Sequence, residues 1–126
     1  MRVAYLKTRG ANILWDVDKM IRDMERGILV PKIEFYSAID LMSQVPPIDY
    51  DISKVNILRF PIIALLGNGK FRMLAGEEQV ARVRQLSFQT ISCCELYPRQ
   101  HKKYILDYDE ETYLRAVSEY WPYGPE

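Results

Sequence analysis

The sequence predicts a single α+β domain over residues 1–126, a mixed sheet with packed helices. Three observations lead there. Runs with a two-residue apolar period are interrupted by runs of helical period, which fits neither an all-α nor an all-β chain. Gly67-Asn68-Gly69 separates two strand-like runs, and Asn-Gly favours the positive φ angles that a two-residue antiparallel hairpin needs. With 126 residues and 48% hydrophobic side chains, the chain has enough apolar material for one core.

Taken in order, residues 2–6 alternate and predict a short strand. Asp16 is placed to cap a helix whose apolar face is Val17, Met20, Ile21 and Met24, the i, i+3, i+4, i+7 pattern, with Gly27 as its stop. Lys32 to Tyr36 reads as a strand. Ser37 is positioned to cap a short helix through Met42, with Asp40 three residues on as its capping-box partner. Pro46-Pro47 ends that helix and extends the chain. One helical turn is expected between Tyr50 and Asn56. Pro61 to Leu66 and Lys70 to Ala75 form the hairpin, with Phe71, Met73 and Ala75 expected on one face and Lys70, Arg72 and Leu74 on the other. Gly76 breaks the second strand. Glu77 to Leu86 predicts a helix with Val80, Val83 and Leu86 inward, and Thr90 to Leu96 a further strand. A last helix is expected from Asp109 to Tyr120, its acidic start matched to the positive end of the helix dipole and its stripe formed by Tyr113, Leu114, Val117 and Trp121.

Bulk properties exclude several classes. Seventeen basic and seventeen acidic side chains cancel, which argues against a generally basic nucleic-acid binder and against disorder. The longest apolar run, 60–66, falls far short of the roughly 20 residues that a membrane helix needs. Cys93 and Cys94 are adjacent and point to opposite faces of a strand, so no disulfide framework is expected; with no apolar leader segment, a cytoplasmic setting is. His101 has no ligand-spaced partner, and no metal site is expected. Charge is uneven, however. Residues 61–103 carry seven basic and three acidic side chains, and residues 104–126 one basic and six acidic, so the acidic end is expected to pair with the basic middle.

One segment carries a possible chemistry. Pro61-Ile62, Gly69-Lys70-Phe71, Leu74-Ala75-Gly76-Glu77, Ala81, Leu86 and Thr90-Ile91 fall in the order strand, hairpin, strand, glycine, helix, strand. In that order and spacing residues 61–96 resemble the core of the ParB/sulfiredoxin-like superfamily. The resemblance implies a nucleotide site at the strand-to-helix junction, since members include CTP-hydrolysing segregation factors, ATP-using sulfinate reductases and free-serine kinases. Its physical basis is general. A glycine admits close backbone approach, and a helix start offers unpaired N–H groups to a phosphate. The implied ligand-binding set is Gly76, Glu77, Glu78, Gln79 and Arg82, joined by Lys70 and Arg72 from the hairpin, and the implied cofactor is a nucleoside triphosphate or diphosphate with magnesium.

The sequence departs from the family at telling positions. Glu78-Gln79 replaces the arginine pair of ParB-type members, and Glu77 stands where sulfinate reductases carry their cysteine. Sulfiredoxin chemistry is therefore not expected. Two carboxylates at the helix start stabilise the helix but repel phosphate unless a divalent cation intervenes. Glu77 is the candidate catalytic acid, and Arg82 either substitutes for the lost arginines or pairs with Glu78 four residues before it. The plainer reading of Glu77 and Glu78 is a favourable surface helix start.

These readings give three functional expectations. The first is a degenerate, non-catalytic ParB-like regulatory or accessory protein linked to plasmid, phage or mobile-element DNA biology. The second is a nucleotide-dependent phosphotransferase or phosphohydrolase using Glu77. The third is a nucleic-acid-binding module built on Lys70, Arg72, Arg82, Arg84 and the cluster Arg99, His101, Lys102, Lys103 between Tyr97 and Tyr104. A protein partner is a further expectation, with the aromatic tail Tyr120-Trp121-Pro122-Tyr123 as the candidate patch.

Overall fold

In the computed structural model, which describes residues 2–8, 11–67 and 69–117, a four-stranded mixed sheet is covered on both faces. Its strands are β3 (Lys32–Ser37), β4 (Ile62–Gly67), β5 (Lys70–Ala75) and β6 (Thr90–Leu96), in the spatial order β3-β6-β4-β5. β4 and β5 form the expected antiparallel hairpin; Asn68 itself lies outside the described residues. The chain then crosses through α3 (Glu77–Gln85) and returns as β6, parallel to β4, with β3 antiparallel on the far side. A separate two-stranded ribbon joins β1 (Val3–Lys7) to β2 (Asn12–Asp16). The remaining helices are α1 (Val17–Glu25), α2 (Ala38–Leu41), α4 (Pro98–His101) and α5 (Glu110–Val117). Single 3₁₀ turns extend α2 over Met42–Gln44 and α4 over Lys102–Tyr104.

Two apolar cores follow from the strand period. On one face Ile62, Ala64 and Leu66 of β4 meet Trp15, Val17, Met20, Tyr113 and Val117, which come from the ribbon, α1 and α5. On the other face Ile63, Met73 and Cys93 meet Ala38, Leu41, Val80 and Val83 of α2 and α3. Successive residues of β4 thus serve opposite cores, as the alternation of a pleated strand requires.

Several expectations need correction. β2 was not foreseen. The helix start at Asp16 is as expected, its carboxylate accepting the Lys19 N–H at 3.1 Å, but the five residues before it are a strand. Ser37 occupies the cap position of α2 without a side-chain hydrogen bond, so no capping box forms with Asp40. Residues 50–56 make one hydrogen-bonded turn at Ser53-Lys54 and no helix, with the Val55 N–H donating to the Ile52 carbonyl at 3.1 Å. Ala75 does not share a face with Met73. The pairing skips from Ile62↔Ala75 to Ile63↔Met73, so a β-bulge turns Ala75 and Leu74 together into the first core. Leu86 ends α3 exposed instead of completing its inner stripe. α5 is described through Val117, which leaves Trp121 and the tail patch Tyr120–Tyr123 outside the described residues. No described helix is long and apolar enough to cross a membrane.

The basic cluster also resolves differently. His101 is fully buried, not displayed on a surface. Its Nδ1 accepts the Trp15 indole N–H at 3.3 Å and its Nε2 sits 2.9 Å from the Leu65 carbonyl, which fixes the neutral tautomer with the proton on Nε2. Tyr104 is buried as well, donating its hydroxyl to Asp23 at 2.7 Å. The Arg99 guanidinium lies over the Tyr97 ring at 5.5 Å, while Lys102 lies 4.5 Å from the Tyr113 ring centre and 3.6 Å from Glu110. That last contact joins the acidic end of the chain to its basic middle.

Candidate functional site

The junction of β5 and α3 opens into a cleft of about 550 Å³. The β5–α3 turn, Leu74 to Gln79, lines it together with Ile21, Met24 and Glu25 of α1. Arg2, Val3, Arg59, Phe60, Ile62 and Cys94 complete the lining.

Gly76 is at the centre of this arrangement and adopts φ +103°, a conformation that L side chains rarely take. A Cβ on Gly76 would sit 2.5 Å from the Pro61 Cα and 2.6 Å from its Cβ. Close packing of the turn on Pro61 therefore demands the glycine, whether or not a ligand approaches it. Because glycine has no cap to offer, α3 begins without a side-chain hydrogen bond. The first backbone bond of the helix runs from the Val80 N–H to the Gly76 carbonyl at 3.1 Å, and no described group takes up the N–H groups of Glu77, Glu78 or Gln79. A nine-residue helix thus presents three free donors and its positive dipole end to the cleft.

The surrounding charge is mixed. Arg2 and Arg59 both line the cleft, and neither makes a salt bridge among the described residues. Glu25, Glu77 and Glu78 bring three carboxylates. Glu78 is partly occupied, since it accepts the Tyr50 hydroxyl at 2.7 Å, a bond that raises the Tyr50 pKa above its ordinary value. Phe60, Ile21 and Met24 supply an apolar wall. Burial pushes the Cys94 thiol up from its usual pKa, so it lines the cleft as a thiol and not as a nucleophilic thiolate.

Of the residues singled out in the sequence, the structure brings Gly76, Glu77, Glu78 and Gln79 together in this cleft. It does not bring Lys70, Arg72 or Arg82 there. Lys70 is exposed at the far end of the hairpin, because six residues of strand carry it away from the α3 junction. Arg72 lies on β5 between Phe71 and Met73, the two residues whose backbone Gln44 bonds, with its Nε buried and unpartnered among the described residues. Arg82 turns along α3 to donate to Gln85 at 2.5 Å and forms no ion pair with Glu78. The cations that do reach the cleft are Arg2, far from the motif in sequence, and Arg59, two residues before its first proline and seventeen before Gly76. No spacing rule links them to it, and only the ribbon and the loop before β4 bring them in. Among the described residues no group of three metal-ligating side chains could hold an ion by itself.

No family model, curated protein or solved structure matches this chain.

Proposed function

We propose that the protein is a small ParB-like binding protein whose cleft at the start of α3 takes a magnesium-chelated nucleoside diphosphate or triphosphate and which acts as a regulatory or accessory factor in plasmid, phage or mobile-element DNA biology. The observation that carries the reading is the uncapped α3 N-terminus opening into a cleft that also holds two unpaired arginines. Oriented N–H groups, a dipole end and guanidinium groups are the donor set that phosphate recognition uses. The apolar wall of Phe60, Ile21 and Met24 gives a base or sugar a surface to lie on. The chelated cation matters because three carboxylates face two guanidiniums; magnesium carried by the phosphates offsets that excess, and Glu77 and Glu78 stand close enough to the helix start to meet it. The order β4-β5-α3-β6, with β4 and β6 parallel, supports the ParB-like fold.

The binding role is preferred to an enzymatic one because no metal cluster joins Glu77 among the described residues and the one cysteine in the cleft, Cys94, is held as a thiol. Isothermal titration against CTP, ATP and ADP, with and without magnesium, tests the proposal. Binding of one of them that requires magnesium, without turnover, is the expected result. The exposed Arg59, replaced by Gln, is expected to weaken that binding at least about tenfold with thermal stability unchanged. Absence of binding to all three nucleotides contradicts the reading. Turnover that Glu77→Gln abolishes replaces it with the enzymatic one.

A further inference from the structure

The sheet has two edges, and they are treated differently. At the β5 edge, the Gln44 side chain acts as a surrogate strand: its Nε2 donates to the Phe71 carbonyl at 2.9 Å and its Oε1 accepts the Met73 N–H at 2.6 Å. At the β3 edge nothing comparable exists among the described residues. The Cys94 N–H donates to the Pro61 carbonyl at 2.8 Å, so Cys94 directs its backbone toward β4. Ile33 stands opposite Cys94, and an antiparallel ladder then turns the backbone groups of Ile33, and of Phe35 two residues on, outward to the open edge.

Natural edge strands are blunted by proline, by bulges or by unpaired charge. Within β3, Lys32–Ser37, there is neither proline nor bulge; the one proline, Pro31, stands just before its first residue. Its pairing to β6 is continuous over six residues without a shift, and its two charges, Lys32 and Glu34, neutralise each other at 3.0 Å. Beside it the surface is apolar: Phe35 is 77% exposed, Val30 70%, Ile28 68% and Ile39 62%. A strand that offers free donors and acceptors next to unsatisfied apolar area is built to be paired.

We propose that β3 pairs antiparallel with β3 of a second copy of this chain, so that two four-stranded sheets become one continuous eight-stranded sheet across a two-fold axis at Ile33. The charges select that occupant and that register. With Ile33 opposite its own symmetry mate, the outward Ile33 groups exchange two hydrogen bonds, and Lys32 of each copy stands opposite Glu34 of the other in the closely spaced, non-hydrogen-bonded positions. A shift of one residue in each copy, which sets Ile33 opposite Phe35, would instead place Glu34 against Glu34. The self-complementary pattern of an isologous interface is therefore present in three consecutive residues, Lys32-Ile33-Glu34. In the favoured register Phe35 of one copy stands opposite Pro31 of the other; proline has no N–H to give, so that pair makes only the bond from the Phe35 N–H to the Pro31 carbonyl. This interface is independent of the cleft and of what the cleft binds.

Sedimentation equilibrium of the full chain, across micromolar concentrations, tests it. The parent protein is expected to be a dimer. Glu34→Lys sets like charges across the axis and is expected to weaken the dimer at least about tenfold, and Lys32→Glu combined with Glu34→Lys restores it. Phe35→Glu is expected to weaken it without loss of fold, since that side chain is mostly in solvent. A parent protein that stays monomeric at every concentration overturns the proposal. So does a dimer indifferent to Glu34→Lys and Phe35→Glu, or one that the charge exchange fails to restore.

Discussion

His101 is the residue whose place in the molecule differs most from its place in the sequence. Set among Arg99, Lys102 and Lys103, it resembles part of a basic surface, yet its ring is enclosed between Trp15 and the Leu65 carbonyl. Burial is the main reason that its pKa falls from 6.5 to about 4; the hydrogen bond to Leu65 opposes the fall and the neighbouring Lys102 charge adds to it. The consequence for stability has a definite sign. Above pH 6.5 the imidazole is neutral in both folded and unfolded chains, and its contribution is complete. Between pH 6.5 and 4 the unfolded chain takes up a proton that the folded chain refuses, so stability is lost as pH falls through that window. A difference of this size is on the order of 3 kcal/mol, with a slope of up to about 1.4 kcal/mol per pH unit. Urea denaturation at a series of pH values is expected to show that slope in the parent protein and a flatter one in His101→Gln. Equal slopes would mean that the ring is protonated in the fold. By contrast, the cysteines behave as the sequence implies, with burial pushing Cys93 up to about 12 and leaving it a packing residue.

The entry to α3 shows what a short element can and cannot reveal in advance. The glycine was legible because it breaks a strand just before a helical period, and the structure adds the reason: Pro61 occupies the space that a side chain would need. Gly76→Ala combines a disfavoured φ with an unavoidable backbone contact, and it is expected to destabilise the protein by about 2–4 kcal/mol in equilibrium unfolding. A change below about 0.5 kcal/mol would show that the turn yields easily. Other elements were hidden for physical reasons. In β2 the alternation of buried Ile13 and Trp15 is masked by Leu14, an apolar residue that faces solvent at 42% exposure. In β5 the bulge inverts the alternation for its last residue, and a bulge leaves no mark on apolar spacing. Leu86 fits the inner stripe of α3, but the helix has already ended at Gln85.

For the whole molecule, the coarse architecture and the carboxylates Glu77 and Glu78 of the cleft could be read from the chain, while Glu25 and the two arginines could not. An α+β order and the residues at the start of α3 are local properties. Arg2 and Arg59 become neighbours of Gly76 only after the ribbon and the loop before β4 pack against the sheet, and that is a matter of tertiary contact. The same reasoning displaces Lys70, Arg72 and Arg82, which are near the motif in sequence but distribute over the hairpin tip, a sheet edge and the outer side of a helix. Of the other cations in the nucleic-acid reading, Arg99 lies over the Tyr97 ring and Lys102 lies over the Tyr113 ring and beside Glu110. Amide chemical shifts followed while magnesium and ADP are titrated into the labelled protein probe the central claim most directly. The account predicts that the amides of Glu77, Glu78 and Gln79 move first and furthest, together with the Arg59 side chain. Unmoved amides at those three positions, or shifts confined to another face, would contradict it.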